Sequence, residues 1–192
     1  ASLEPEFARM GGLPLLCLSN GVDNEPELAR ALGAGRVIAG TLTTAVGRRA
    51  AGEVAVERLR GAGIASSHPL SETLARAMDD AGLCARLFPR AGDMKWSKLL
   101  TNLLGNATSA ILDRSPAQIF SDPGLGRLEV AQLREALAVM RASGIGVVDL
   151  PRTPVRLLAL AARLPASLSR PALRRAVGGG RGGKMPSLHI DL

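Results

Sequence analysis

The sequence predicts an α/β region followed by an all-helical one. Three observations carry this. Short apolar runs closed by turn residues alternate with a helical pattern in the first ninety residues. Beyond residue 90 the apolar positions recur at helical spacing almost throughout. Two Ser/Asp-then-Pro pairs, Ser115-Pro116 and Asp122-Pro123, mark helix starts in that second part. The domains drawn from this are residues 1–90 and 91–192.

Taken in order, Leu13-Pro-Leu-Leu-Cys-Leu18 is a continuous apolar run closed by Ser19-Asn20-Gly21, which reads as a buried strand and a tight turn. Asn24 is placed to cap a helix with Pro26 in its first turn, running through Leu28, Ala31 and Leu32 to Gly33. Arg36–Gly40 is a second strand. Thr41–Val46 and Glu53–Leu59 read as strands around a Gly47–Gly52 turn. Ser71 is a suitable N-cap for a helix to Leu83, ended by Gly82, and Arg86–Phe88 is a strand or linker. In the second part, Asp122-Pro123 opens a long helix through Leu128, Val130, Leu133, Leu137 and Met140 that stops at Gly144. Thr153-Pro154 starts another, to about Leu164.

The stretch Lys95–Asp113 stands out. At about 100° per residue, Trp96, Leu99, Leu100, Leu103, Leu104, Ala107, Ala110 and Ile111 fall on one side of a single helix, with Asp93 as its N-cap. Lys98, Asn102 and Asn106 fall at i, i+4 and i+8 on the other, with Gly105 and Ser109 in the same stripe. Asn and Gly are poor helix formers, by roughly half to one kcal/mol each relative to Ala. A stripe that is small, uncharged and amide-rich suits close approach by another backbone or by a polar ligand; a mildly polar surface or a helix contact gives the same pattern. Among 24 Lys plus Arg only Lys95, Lys98 and Lys184 are Lys. An ammonium can give up a proton where a guanidinium cannot, so a Lys at the head of the stripe points to acid/base or carbonyl chemistry at Lys98.

Composition narrows the classes. Hydrophobic residues make up 46% of the 192, and no apolar run approaches the roughly 18 needed to cross a bilayer. The opening is acidic and lacks the pattern of a signal peptide. Cys17 and Cys84 have neither metal spacing nor a disulfide pattern, so they read as buried cytosolic thiols and no metal site is expected. The net charge of +7 comes entirely from residues 151–192, which hold eight basic residues and one acid. Residues 1–150 are balanced, at 16 of each sign. The four aromatic residues do not interleave with the arginines as stacking platforms do. Neither nucleic acid nor a membrane is the expected partner.

Trp96-Ser-Lys-Leu-Leu-Thr-Asn-Leu-Leu-Gly-Asn-Ala107 resembles the central helix motif of the ketopantoate reductases (2-dehydropantoate 2-reductases), W-x-K-L-x-x-N-x-x-x-N, with every fixed position present. Leu18-Ser-Asn-Gly-Val-Asp-Asn-Glu25 resembles that family's "QNG-(V/M)-x-x-x-E" segment, and Lys184-Met-Pro-Ser-Leu-His-Ile-Asp191 its "S-(S/P)-M-x-x-D" region. The resemblance implies the rear part of a Rossmann-like nucleotide-binding domain followed by a helical C-terminal domain. It implies reduction of a 2-keto acid, ketopantoate, by NADPH in pantothenate biosynthesis. Lys98 would be the proton donor, with Asn102, Asn106 and Ser187 binding substrate. Asn20 would contact the cofactor or substrate. Its partners would be the small keto acid and a second copy of the chain, in the cytoplasm.

Two departures accompany it. No strand followed by G-x-G-x-x-G, the pyrophosphate cradle, is present, and Gly178–Gly183 reads as a flexible loop. The family's later "T-E-x-x-x-(I/L)-N-G" helix is also missing. The expectation is a portion of a reductase that by itself binds NADPH weakly or not at all. Two other classes stay open: a helical association module without chemistry, and a related dehydrogenase for another 2-keto or 3-hydroxy acid.

Overall fold

A computed structural model describes residues 11–165, 168–169 and 171–175. They divide into two compact units. The first holds residues up to Lys95 together with Leu150–Thr153, and the second Trp96–Asp149 with Pro154 onward.

The first unit is built on a mixed four-stranded sheet, in the order β1-β2-β5-β6. The apolar run predicted as a strand forms β1 (Leu15–Cys17), which pairs parallel with β2 (Val37–Leu42), Leu16 opposite Ile38. A parallel pair needs a crossover, and α1 (Asn24–Leu32) with the 3-10 turn Ala34–Arg36 supplies it. The next two strands leave the sheet as a separate antiparallel hairpin, β3 (Ala45–Ala50) and β4 (Glu53–Arg58). Its turn is tighter than Gly47–Gly52: the chain reverses at Ala51-Gly52, where Gly52 takes φ +78°.

β5 (Ala62–Ala65) returns antiparallel to β2, and α2 (Ser71–Asp80) crosses to β6 (Ala85–Phe88), parallel to β5. The core under this sheet is Ile38, Ile64 and Ala75, closed by Leu16, Leu74, Met78, Ala85 and Leu87. β5 is an inner strand that the sequence pattern does not announce, because glycine and alanine are poor strand formers. Close packing explains its composition. A Cβ on Gly63 would lie 2.8 Å from the Met94 sulfur and 2.9 Å from the Phe88 ring. Ser71 is not the cap of α2 but its first residue, and its hydroxyl donates instead to the Ala65 carbonyl, at 2.6 Å.

The second unit is helical. α3 (Ala91–Leu103) begins in the first unit and finishes here. It is followed by α4 (Asn106–Leu112), α5 (Pro116–Ser121), α6 (Pro123–Ala142) and α7 (Val155–Arg163). Both cap-then-Pro starts form as expected. Ser115 and Gln118 make a reciprocal capping box, and the Asp122 carboxylate accepts from the Gly124 and Leu125 amides. Gly144, at φ +64°, closes α6 as Ile145 N–H bonds back to the Met140 carbonyl. At α7 the expected Thr153 gives way to Asp149, whose carboxylate accepts from the Arg156 amide at 2.8 Å. Leu100, Ile119, Val130, Leu133, Met140, Val155 and Ala162 are buried in this unit. Among the described residues no helix is long and apolar enough to cross a membrane.

Candidate active site

Lys98 and Asn102 lie one turn apart on α3, both half-buried, as the motif spacing requires. Asn106, also half-buried, does not continue their stripe. The single helix expected over Lys95–Asp113 breaks at Leu104-Gly105, and Asn106 is the first residue of α4. Asp93 correspondingly sits inside the first turn of α3 rather than at its cap. Gly105 makes the break possible, with φ +69° and ψ −1°, a left-handed conformation that costs a side chain about 1–2 kcal/mol. The break also rotates the apolar phase of α4 relative to α3. Thr108 and Ser109 are buried, whereas Ile111, expected on the inner side, is 78% exposed.

The break is held by Glu129, fully buried on α6. Its carboxyl accepts the Gly105 N–H at 2.7 Å and the Thr108 hydroxyl at 2.5 Å. A helix start leaves backbone N–H groups without intrahelical partners, and Gly105 offers no side chain to cap them. Glu129 serves as the cap from another helix. The sequence carries a signal for it: Gly126, Glu129, Val130, Leu133, Leu137 and Met140 form the apolar stripe of α6, and a carboxyl in that stripe needs a buried partner. Ser97, buried one residue before Lys98, accepts the Val148 amide at 2.9 Å. The elements that carry Lys98 and Asn106 are thus each tied to a distant segment of the unit.

In the first unit Asn20 is exposed in the turn after β1, at the carboxyl end of the parallel β1–β2 pair. That is where ligands sit in α/β sheets. The Asn24 side chain donates to the Asn20 carbonyl at 2.5 Å. Beneath the turn lies Lys95, which is 4% exposed and ion-paired to Glu25 at 2.6 Å. Its ammonium also donates to the Ser19 carbonyl at 2.7 Å and the Gly40 carbonyl at 3.3 Å. Cys17 is buried beside this group. Burial first, and the neighbouring Glu25 carboxylate second to it, push its thiol above the ordinary range, against the pull of the Ser19 backbone and of Lys95. Motif spacing singled out Lys98 and passed over Lys95.

Ser187 and the Gly178–Gly183 loop lie outside the described residues. Among those described, no three His, Cys, Asp or Glu side chains gather where a metal ion could be held. Within the second unit, Lys98, Asn102 and Asn106 offer one half-buried amine and two amides. Such a set can bind a carboxylate or hydroxyl and give a proton to a carbonyl oxygen.

Residues 91–177 match the family described as "Ketopantoate reductase PanE/ApbA C terminal". The chain is 27% identical over 186 residues to a 2-dehydropantoate 2-reductase of Halobacterium salinarum, a match covering 93% of this chain and 59% of the relative. Its fold is similar to that of a PanE/ApbA-family ketopantoate reductase from Ralstonia eutropha JMP134, with TM-score 0.63 and 23% identity, over 91% of this chain and 63% of that one. It is similar also to a D-mandelate dehydrogenase solved with NADH, with TM-score 0.70 and 18% identity, over 99% of this chain and 65% of that one. The chain thus spans about three-fifths of the length of the curated relative.

Proposed function

We propose, from the match of residues 91–177 to the ketopantoate reductase C-terminal family, that the chain is part of an NADPH-dependent reductase converting ketopantoate to pantoate. The observation that supports this best is the placement of the motif side chains. Lys98 and Asn102 stand half-buried one turn apart, and Asn106 heads the next helix after a break held by a buried carboxyl.

In the proposed reaction Lys98 donates a proton to the ketone oxygen as that oxygen gains charge. Its amine is then left neutral and takes a proton from solvent. A nicotinamide cofactor, when bound, would supply the hydride for the carbonyl carbon. Asn102 and Asn106 hold the substrate hydroxyl and carboxylate, and Ser187 is assigned to the substrate by resemblance. Asn20 fits a contact to the nicotinamide side of the cofactor, being an exposed polar residue at a strand's carboxyl end. A cytoplasmic homodimer in pantothenate biosynthesis completes the proposal.

The test is NADPH oxidation by the full-length protein with ketopantoate and a panel of other 2-keto acids. Saturable turnover strongest with ketopantoate is expected. Turnover strongest with another 2-keto acid would overturn the substrate, and no turnover with any would overturn the reductase reading.

A further inference from the structure

We infer that Lys95 is a positioning residue, the anchor that fixes the turn presenting Asn20. This rests on the proposed function, since it assigns the turn a role toward the cofactor. A lysine only 4% exposed needs compensation for its lost hydration, and here three groups provide it. They come from three elements: the Ser19 carbonyl after β1, the Gly40 carbonyl of β2 and the Glu25 carboxylate in the first turn of α1. The two carbonyls accept hydrogen bonds from the ammonium, and the Glu25 carboxylate supplies the opposite charge.

Two of these acceptors bracket Asn20. Ser19 precedes it directly, and Glu25 comes five residues later. The third side of the turn is closed by the Asn24 amide on the Asn20 carbonyl. Two successive carbonyls, Ser19 and Asn20, are therefore held by side chains, and Gly21 at φ +104° reverses the chain beyond them. A surface Asn-Gly turn without such ties would sample many conformations, and a ligand would have to order it on binding. With Lys95 beneath, the ordering is done on folding. Neither the family motif nor the helical spacing marks this lysine.

Backbone order parameters of Ser19–Val22 in the full-length protein, without ligand, test the anchor, and NADPH titration tests its consequence. In the wild type the turn is expected near the rigid value of about 0.85, falling below about 0.6 in Lys95→Met. The α6 amides are expected to keep their values. NADPH affinity should fall about tenfold, the effect of losing hydrogen bonds to a charged group. Because that variant can fail to fold, Glu25→Gln is the second one. It removes a single acceptor charge and should loosen the same turn by less.

In turnover, the loss should appear in KM for NADPH, with kcat within about threefold of wild type, as for lost uniform binding. A turn that stays rigid in either folded variant would overturn the anchor. A loosened turn with unchanged NADPH affinity would overturn its positioning role. Absence of reductase activity in the wild type would sink the functional reading alone, because the order parameters and the titration need no turnover.

Discussion

The two units bury a lysine and a glutamate for opposite reasons. In the first, Lys95 donates to the Ser19 carbonyl beyond β1 and to the Gly40 carbonyl within β2. In the second, Glu129 accepts from an N–H where a helix begins. A backbone carbonyl calls for a donor and a backbone N–H for an acceptor, and each unit has buried the side chain of matching polarity. The lysine brings an anionic partner, Glu25, whereas the glutamate is met by an amide and a hydroxyl. The lesson is a division of labour. Buried Lys95 and Glu129 hold backbone in place, while Lys98, Asn102 and Asn106 stay half-buried and are the residues the proposed function assigns to the substrate.

The largest expected effect strikes the second unit's anchor. Glu129→Ala leaves the Gly105 N–H and the Thr108 hydroxyl buried without their acceptor and opens a cavity. Stability should fall by about 3–5 kcal/mol, measured by urea unfolding. A loss below about 1 kcal/mol, the range of ordinary surface substitutions and small adjustments, would show that the break holds itself. Next comes the chemical side of the division. Lys98→Ala in the full-length protein should lower kcat about 10²-fold or more, with stability changed by no more than about 0.5 kcal/mol. A large stability loss there would place Lys98 with the anchors and erase the distinction.

Gly105→Ala should cost about 1–2 kcal/mol, from the left-handed backbone. A Cβ there would also lie 3.3 Å from Pro116, so the neighbour must give way. The loss should appear in the melting temperature. The smallest effect concerns the cap of α6. The Leu125 and Gly124 amides hold the Asp122 carboxyl below its ordinary range. A depressed carboxylate stabilises the fold above its unfolded pKa, and that stabilisation is lost as pH falls through the folded value. Asp122→Asn should therefore flatten the pH dependence of stability below about pH 4. An unchanged profile would mean the cap carries no charge-dependent share.

Much of the fold was legible because its chemistry is local. β1, the Ser115 and Asp122 caps and the Gly144 stop each arise from residues within a few positions of one another. β5 was not, because its glycine answers to Met94 and Phe88 rather than to strand propensity. The break at Gly105 was hidden for a similar reason. A glycine inside a helix costs only about 1 kcal/mol, so the pattern permits a continuous helix. The carboxyl that stabilises the alternative is 24 residues away. Nothing near Lys95 in the sequence marks it, and only the fold brings Ser19, Gly40 and Glu25 to it. Lys98 and Asn102 fell where the motif put them, since a one-turn spacing is local.

In the proposed reaction half-buried Lys98 gives up a proton. Substituting Lys98→Arg in the full-length protein and measuring kcat for ketopantoate with NADPH tests it most directly. Arginine keeps a positive charge at the site but does not release its proton. If Lys98 is the proton donor, kcat should stay depressed about 10²-fold, close to that of Lys98→Ala. A Lys98→Arg enzyme with near-normal kcat would contradict the claim, by showing that positive charge alone suffices.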